Sequence, residues 1–126
     1  MSNFVRMFKP QFAAMVESSQ KLQTVRPVPK RMPKAGDRIS LRTWTGKPYR
    51  SKQRVLGVAT VVKVLRCLIG HGVCIVGHKP PMTADECDAF ARADGFRDRH
   101  ELRYWFEREH GLPFNGIVIY WKTPTK

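Results

Sequence analysis

The sequence predicts a small α+β domain: a curled, largely antiparallel sheet with about three flanking helices. Three observations predict it. Helix signals are few and sharply bounded, at Pro10, Thr83 and Asp98. β-branched and alternating stretches fill much of the rest, the longest over Val55 to Ile69. The resulting order is strand, helix, several strands, two helices, strand. With 126 residues the chain is read as one domain, 1–126, able to close a single modest core.

Each element has a local reason. Phe4 to Phe8 is a short strand that ends at Lys9-Pro10. Pro10 suits a first helical turn, and Phe12, Met15 and Val16 recur at helical spacing until Ser18-Ser19. Leu22 to Val25 reads as extended, and Arg26-Pro27-Val28-Pro29 keeps the backbone out of helix. After the basic loop Lys30 to Lys34, Gly36-Asp37 turns into Arg38 to Trp44, which alternates polar and apolar as a half-buried strand does. Thr45 to Arg54 is a loop. Val55 to Ile69 is a long strand, bent or bulged at Gly57, and Gly70-His71-Gly72 turns it into Val73 to Val76.

Thr83-Ala84-Asp85-Glu86 is a capping box for a helix that runs to about Ala93 and ends at Gly95. Asp98-Arg99-His100-Glu101 opens another, with Leu102, Trp105 and Phe106 as its core stripe, until Gly111 and Pro113 stop it. Gly116 to Trp121 is the last strand.

Composition excludes several classes. At 42% hydrophobic and 26% charged residues the chain is neither a disordered acidic tail nor a disulfide scaffold. Its longest apolar run, Val58 to Leu68, is interrupted by Lys63 and Arg66, so no membrane span is expected. Met1 to Arg6 lacks the apolar stretch of a secretory signal, and three cysteines without a paired framework fit a reducing cytoplasm.

Charge is segregated. Residues 1–66 carry fifteen Lys/Arg against Glu17 and Asp37, while residues 67–126 carry eight of each sign. The whole excess of +13 therefore lies in the first half. A segregated positive field attracts a polyanion, so nucleic acid or a phosphorylated ligand is the expected partner. An acidic protein would suit the same field. The expectation is that these cations gather around one concavity.

Four constellations carry chemistry. Lys21, Thr24 and Arg26 suit holding and polarising a carbonyl or phosphate, but alternation separates Lys21 from the other two unless a turn falls at Lys21. The loop Lys47, Tyr49, Arg50, Lys52 and Arg54 offers phosphate contacts and a stacking ring, beside Arg38 and Arg42 on the wet face of their strand. Cys67, His71, Cys74, His78 and Cys87 have ligating side chains without the spacing of a zinc knuckle or finger, so no metal is assigned. Asp94 differs from the capping and solvated carboxylates. It lies in a helix-to-helix turn, where a core-seated Phe96 would point it at the sheet.

Taken together, these pieces resemble the ASCH family of PUA-like β-barrel domains, from about Phe8 to Trp121. The resemblance is carried by Phe8-Lys9-Pro10-Gln11-Phe12, by Ser19-Gln20-Lys21-Leu22-Gln23-Thr24-Val25-Arg26, by Gly36-Asp37 leading a strand, by Asp94-Gly95-Phe96 and by Glu101-Leu102. It implies a closed or nearly closed barrel with a cleft for RNA or modified nucleosides. Some members resemble amidohydrolases that deacetylate N4-acetylcytidine with a lysine, a threonine and a glutamate; others are reported as ribonucleases or binders. Carried over, these positions are Lys21, Thr24 and Asp94, and no cofactor is implied. Two positions depart from the family pattern: Ser19 replaces a glycine, and Asp94 is one methylene shorter than the family glutamate.

Overall fold

The computed structural model describes residues 1–123, and over these the chain forms six strands and three helices. In order they are β1 (Asn3–Met7), α1 (Pro10–Glu17), β2 (Gln23–Pro27), β3 (Arg38–Trp44), β4 (Gln53–Ile69), β5 (Cys74–Val76), α2 (Ala84–Ala93), α3 (Arg99–His110) and β6 (Phe114–Trp121). The α+β class and the mostly antiparallel sheet are as expected. Only β1 and β3 run parallel.

The length of β4 has a topological cause. Its first half pairs with β3, from Gln53 opposite Trp44 to Thr60 opposite Arg38. Its second half lies between β6 and β5, with Val61 to Ile69 opposite Trp121 to Phe114. Extra residues at two register shifts, one beside Gly57 as expected and one at Val62, let a single strand curl from one half-sheet into the other. Long-range pairing also moves the ends of the other strands. Gln53 joins β4 because Trp44 lies opposite, and Phe114 joins β6 opposite Ile69. Pro27 ends β2 on an edge, where a missing N–H breaks no ladder.

Strand order is β1-β3-β4-β6-β2, with β5 a side branch on β4. Among the described residues no ladder joins β1 to β2, so the sheet is curled but not closed. The core fills the inside of the curl. Ile39, Leu41, Ile117, Val118 and Ile119 are fully buried, each contributing about 1.5–3 kcal/mol. Helix α3 adds Leu102 and Phe106, while Trp105 of the expected stripe is only half-buried, at the rim.

Local capping accounts for the helix boundaries. The Thr83–Glu86 capping box is reciprocal, as its sequence predicts. The second box is not: Asp98 accepts from His100 and Glu101, but the Glu101 carboxylate reaches one residue further back, to the Arg97 N–H. No helix among the described residues is long and apolar enough to cross a membrane.

One buried carboxylate ties the first strand down. Asp37 accepts hydrogen bonds from the Ser2 and Lys34 N–H groups, at 2.9 Å each. These donors, Ser2 foremost, hold its pKa below the ordinary 3.8. A folded pKa below the unfolded one stabilises the fold above pH 3.8, and that contribution disappears as pH falls through the lowered value. Asp37→Asn sets an amide donor against one of the two N–H groups. It should therefore lower the urea midpoint at neutral pH and flatten its further fall as pH drops below about 4.

Candidate functional site

Two helix endings build the site. Helix α1 closes with the Ser19 N–H on the Val16 carbonyl and the Gln20 N–H on that of Met15, a Schellman arrangement with its left-handed residue at Ser19. Ser19 has φ 65°, the conformation that glycine adopts without strain. The Lys21 N–H also turns back to Met15, so the turn falls at Lys21 and frees its side chain from the alternation of β2.

Helix α2 ends in the same way. The Gly95 N–H meets the Arg92 carbonyl and the Phe96 N–H meets that of Ala91, leaving Asp94 as the C-cap. Gly95 has φ 100°, and a Cβ there would lie 2.9 Å from the Phe12 ring. Only glycine permits this approach. Phe96 is buried in the core as expected, and Asp94 faces β2.

Lys21 and Asp94, 73 residues apart, therefore meet. The Lys21 ammonium donates to the Asp94 backbone carbonyl, and its Nζ lies 3.4 Å from the Asp94 carboxylate. The aspartate side chain is long enough for this contact. Gln23 Nε2 donates to the same carboxylate at 3.3 Å. All three residues are buried. Burial pushes the Lys21 pKa below the ordinary lysine value, Asp94 opposing and Arg26 reinforcing the shift. Burial likewise pushes the Asp94 carboxyl up, against the pull of Lys21 and Gln23.

Beside the pair, Arg26 Nε donates to Thr24 Oγ1 at 3.0 Å, and Arg26 Nη2 donates to the Met7 carbonyl of β1 at 2.7 Å. One guanidinium thus bridges the two edges of the sheet. A cavity of about 180 Å³ opens at this seam, and Lys21, Thr24, Arg26 and Asp94 all line it. Its other walls include Phe8, Phe12, Trp105 and His110. Lys21 lies 5.2 Å from the Phe12 ring centroid and Arg26 4.8 Å from that of Phe8. Lys9 spans the rim, paired with Glu109 and set over Trp105.

The remaining basic candidates lie elsewhere. From the positive first half only Lys9, Lys21 and Arg26 line the cavity; the expected gathering of all these cations around one hollow does not occur. Arg38 is exposed at the start of β3. Arg42 is engaged by Ser40 and Gln53. Lys47, Tyr49, Arg50 and Lys52 are exposed on the β3–β4 loop, with the Tyr49 ring 5.2 Å from that of Trp44. Arg54 pairs with Glu17 on α1. Cys67 and Cys74 are buried, and burial pushes both thiols up to about 12.

Sequence reasoning missed Gln23 and the aromatic walls. The signal was present: Phe8 and Phe12 flank the proline that starts α1, and Gln23 alternates with the wall residue Val25. Comparisons with protein-family models, with curated proteins and with solved structures found no match.

Proposed function

We propose that the chain is an ASCH-like domain with a PUA-like, nearly closed barrel, whose cavity binds a single base of RNA or a modified nucleoside. One observation carries this reading: Lys21, Thr24, Arg26 and Asp94 line one aromatic-walled cavity at the open seam of the sheet. Its volume is below the roughly 300–1,000 Å³ of pockets that enclose drug-sized ligands, a scale suited to one planar group. Its aromatic walls offer apolar contact to a base, and its polar groups offer hydrogen bonds to the base edge.

The Lys21–Asp94 contact favours a second reading on the same site, hydrolysis of an acyl amide such as that of N4-acetylcytidine. Burial pushes the Lys21 amine down and the Asp94 carboxyl up, which narrows the gap between their proton affinities and suits the pair to pass a proton between water and a leaving nitrogen. In the base-catalysed route Lys21 takes a proton from water as the oxygen adds to the acetyl carbon. Thr24 orients the water. The C–N bond breaks as Asp94 protonates the leaving nitrogen, and Lys21 returns its proton to Asp94 across their contact. Acetate and the free exocyclic amine are the products.

Incubating the protein with N4-acetylcytidine and, in parallel, with a short single-stranded RNA tests both readings. The expected result is RNA retention that weakens with salt, together with release of cytidine and acetate. Retention without release leaves the binding reading alone. Neither retention nor release overturns both.

A further inference from the structure

Strand β1 is one edge of the sheet, and its outward carbonyls are capped in an unusual way. Ser2 and Phe8 bond to β3 through the Arg38 N–H and the Arg42 carbonyl. The alternate residues Asn3, Val5 and Met7 therefore turn their backbone groups away from β3. Each of these three carbonyls accepts from an arginine: Asn3 from Arg31 at 2.8 Å, Val5 from Arg6 at 2.9 Å, and Met7 from Arg26 at 2.7 Å. Aromatic faces help to fix the guanidinium planes. Arg31 and Arg6 lie 4.2 Å and 5.5 Å from the Phe4 centroid, and Arg26 lies over Phe8.

This row is electrostatically unfavourable for the protein alone. Burial lowers the Arg6 pKa and the charge of Arg31 lowers it further; Arg26 falls to about 10 through burial and then the charge of Arg6. Among the described residues no carboxylate forms an ion pair with Arg6 or Arg31. Charged side chains can guard a sheet edge against pairing, but that role does not require cations set against one another. Each guanidinium has five N–H donors and spends one or two on the protein, leaving the others for an external acceptor. The carbonyls they occupy recur every second residue, about 6–7 Å apart, comparable to the step between phosphates along an extended nucleic-acid strand.

We propose that Arg31, Arg6 and Arg26 form a phosphate track, along which a single-stranded nucleic acid lies on the β1 edge and turns one base into the cavity. The track rests on the base-pocket reading above and deepens it, because it makes the ligand a polynucleotide strand and not a free nucleoside. Arg26 belongs to both parts, joining the track to the cavity.

The experiment is the salt dependence of binding to a labelled ten-nucleotide single-stranded RNA, for the intact chain and for Arg6→Gln/Arg31→Gln. Loss of two phosphate contacts should reduce the log–log slope by about 1.4, at about 0.7 per contact. Arg6→Lys/Arg31→Lys should retain the slope, which separates lost charge from lost folding. A strand of the same sequence with uncharged methylphosphonate linkages should bind both proteins equally weakly. An unchanged slope in the glutamine variant overturns the track, as does a slope lost equally in the lysine variant. Tighter binding of polyglutamate than of RNA overturns it in favour of an acidic protein partner. A reduced slope in the glutamine variant, with no uptake or turnover of N4-acetylcytidine by the intact chain, supports the track and removes the modified-nucleoside reading instead.

Discussion

Asp94→Ala should lower the unfolding free energy by about 3–5 kcal/mol, and Lys21→Met on that background should restore most of it. The reason is asymmetric burial. Lys21 is 2% exposed, and its ammonium has the Asp94 carboxylate as its counter-charge. Removing the carboxylate leaves a buried cation without its counter-charge and beside Arg26, whereas removing both groups leaves neither member of the pair unbalanced. The single variant carries its own pH signature. Lys21 already has a folded pKa below the ordinary 10.5, and loss of Asp94 lowers it further because Asp94 is the charge that raises it. A depressed folded pKa stabilises the fold above the unfolded value, and that stability disappears as pH falls through the folded one. Asp94→Ala should therefore recover stability as pH rises from 7 toward 10. Urea midpoints at two pH values, for the single and double variants, measure this directly. A double variant no more stable than the single one would contradict the coupling.

On the hydrolytic reading, Lys21→Met should abolish turnover with less damage to the fold. The Asp94 carboxylate keeps the Gln23 donor and the nearby Arg26 charge, so it is left better compensated than the Lys21 ammonium is in Asp94→Ala, where Arg26 only repels. Turnover of N4-acetylcytidine should fall by about 100- to 10,000-fold, the range attributed to a positioned acid–base group. Cytidine release under saturating substrate, alongside a melting curve for each protein, separates this from unfolding. Turnover within a few-fold of the unaltered chain would remove Lys21 from the reaction.

The ends of the helices were legible because they are local. Thr83, Gly95 and Gly111 act on backbone groups within a few residues, and so each marks its boundary in the sequence itself. The alternation from Arg38 to Trp44 was legible for the same reason. The lysine–carboxylate meeting was only half legible. Lys21 and Asp94 could each be singled out, but the turn that frees Lys21 depends on Ser19 adopting a left-handed conformation that its side chain does not advertise. Least legible was the distribution of the cations. Arg50, Lys52 and Arg54 cluster in sequence but occupy an exposed loop and its strand edge. Arg6, Arg26 and Arg31, scattered in sequence, meet along one strand because the β1–β3 pairing and the chain reversal after β2 bring them there.

A curled sheet held at its lips by one guanidinium behaves differently from a sealed cylinder. Detaching Arg26 from the Met7 carbonyl gives up a charge-assisted hydrogen bond of about 1.5–3 kcal/mol and leaves every strand ladder intact. The side chain that joins the two edges is also the one that donates to Thr24, so seam and cavity wall share a single guanidinium.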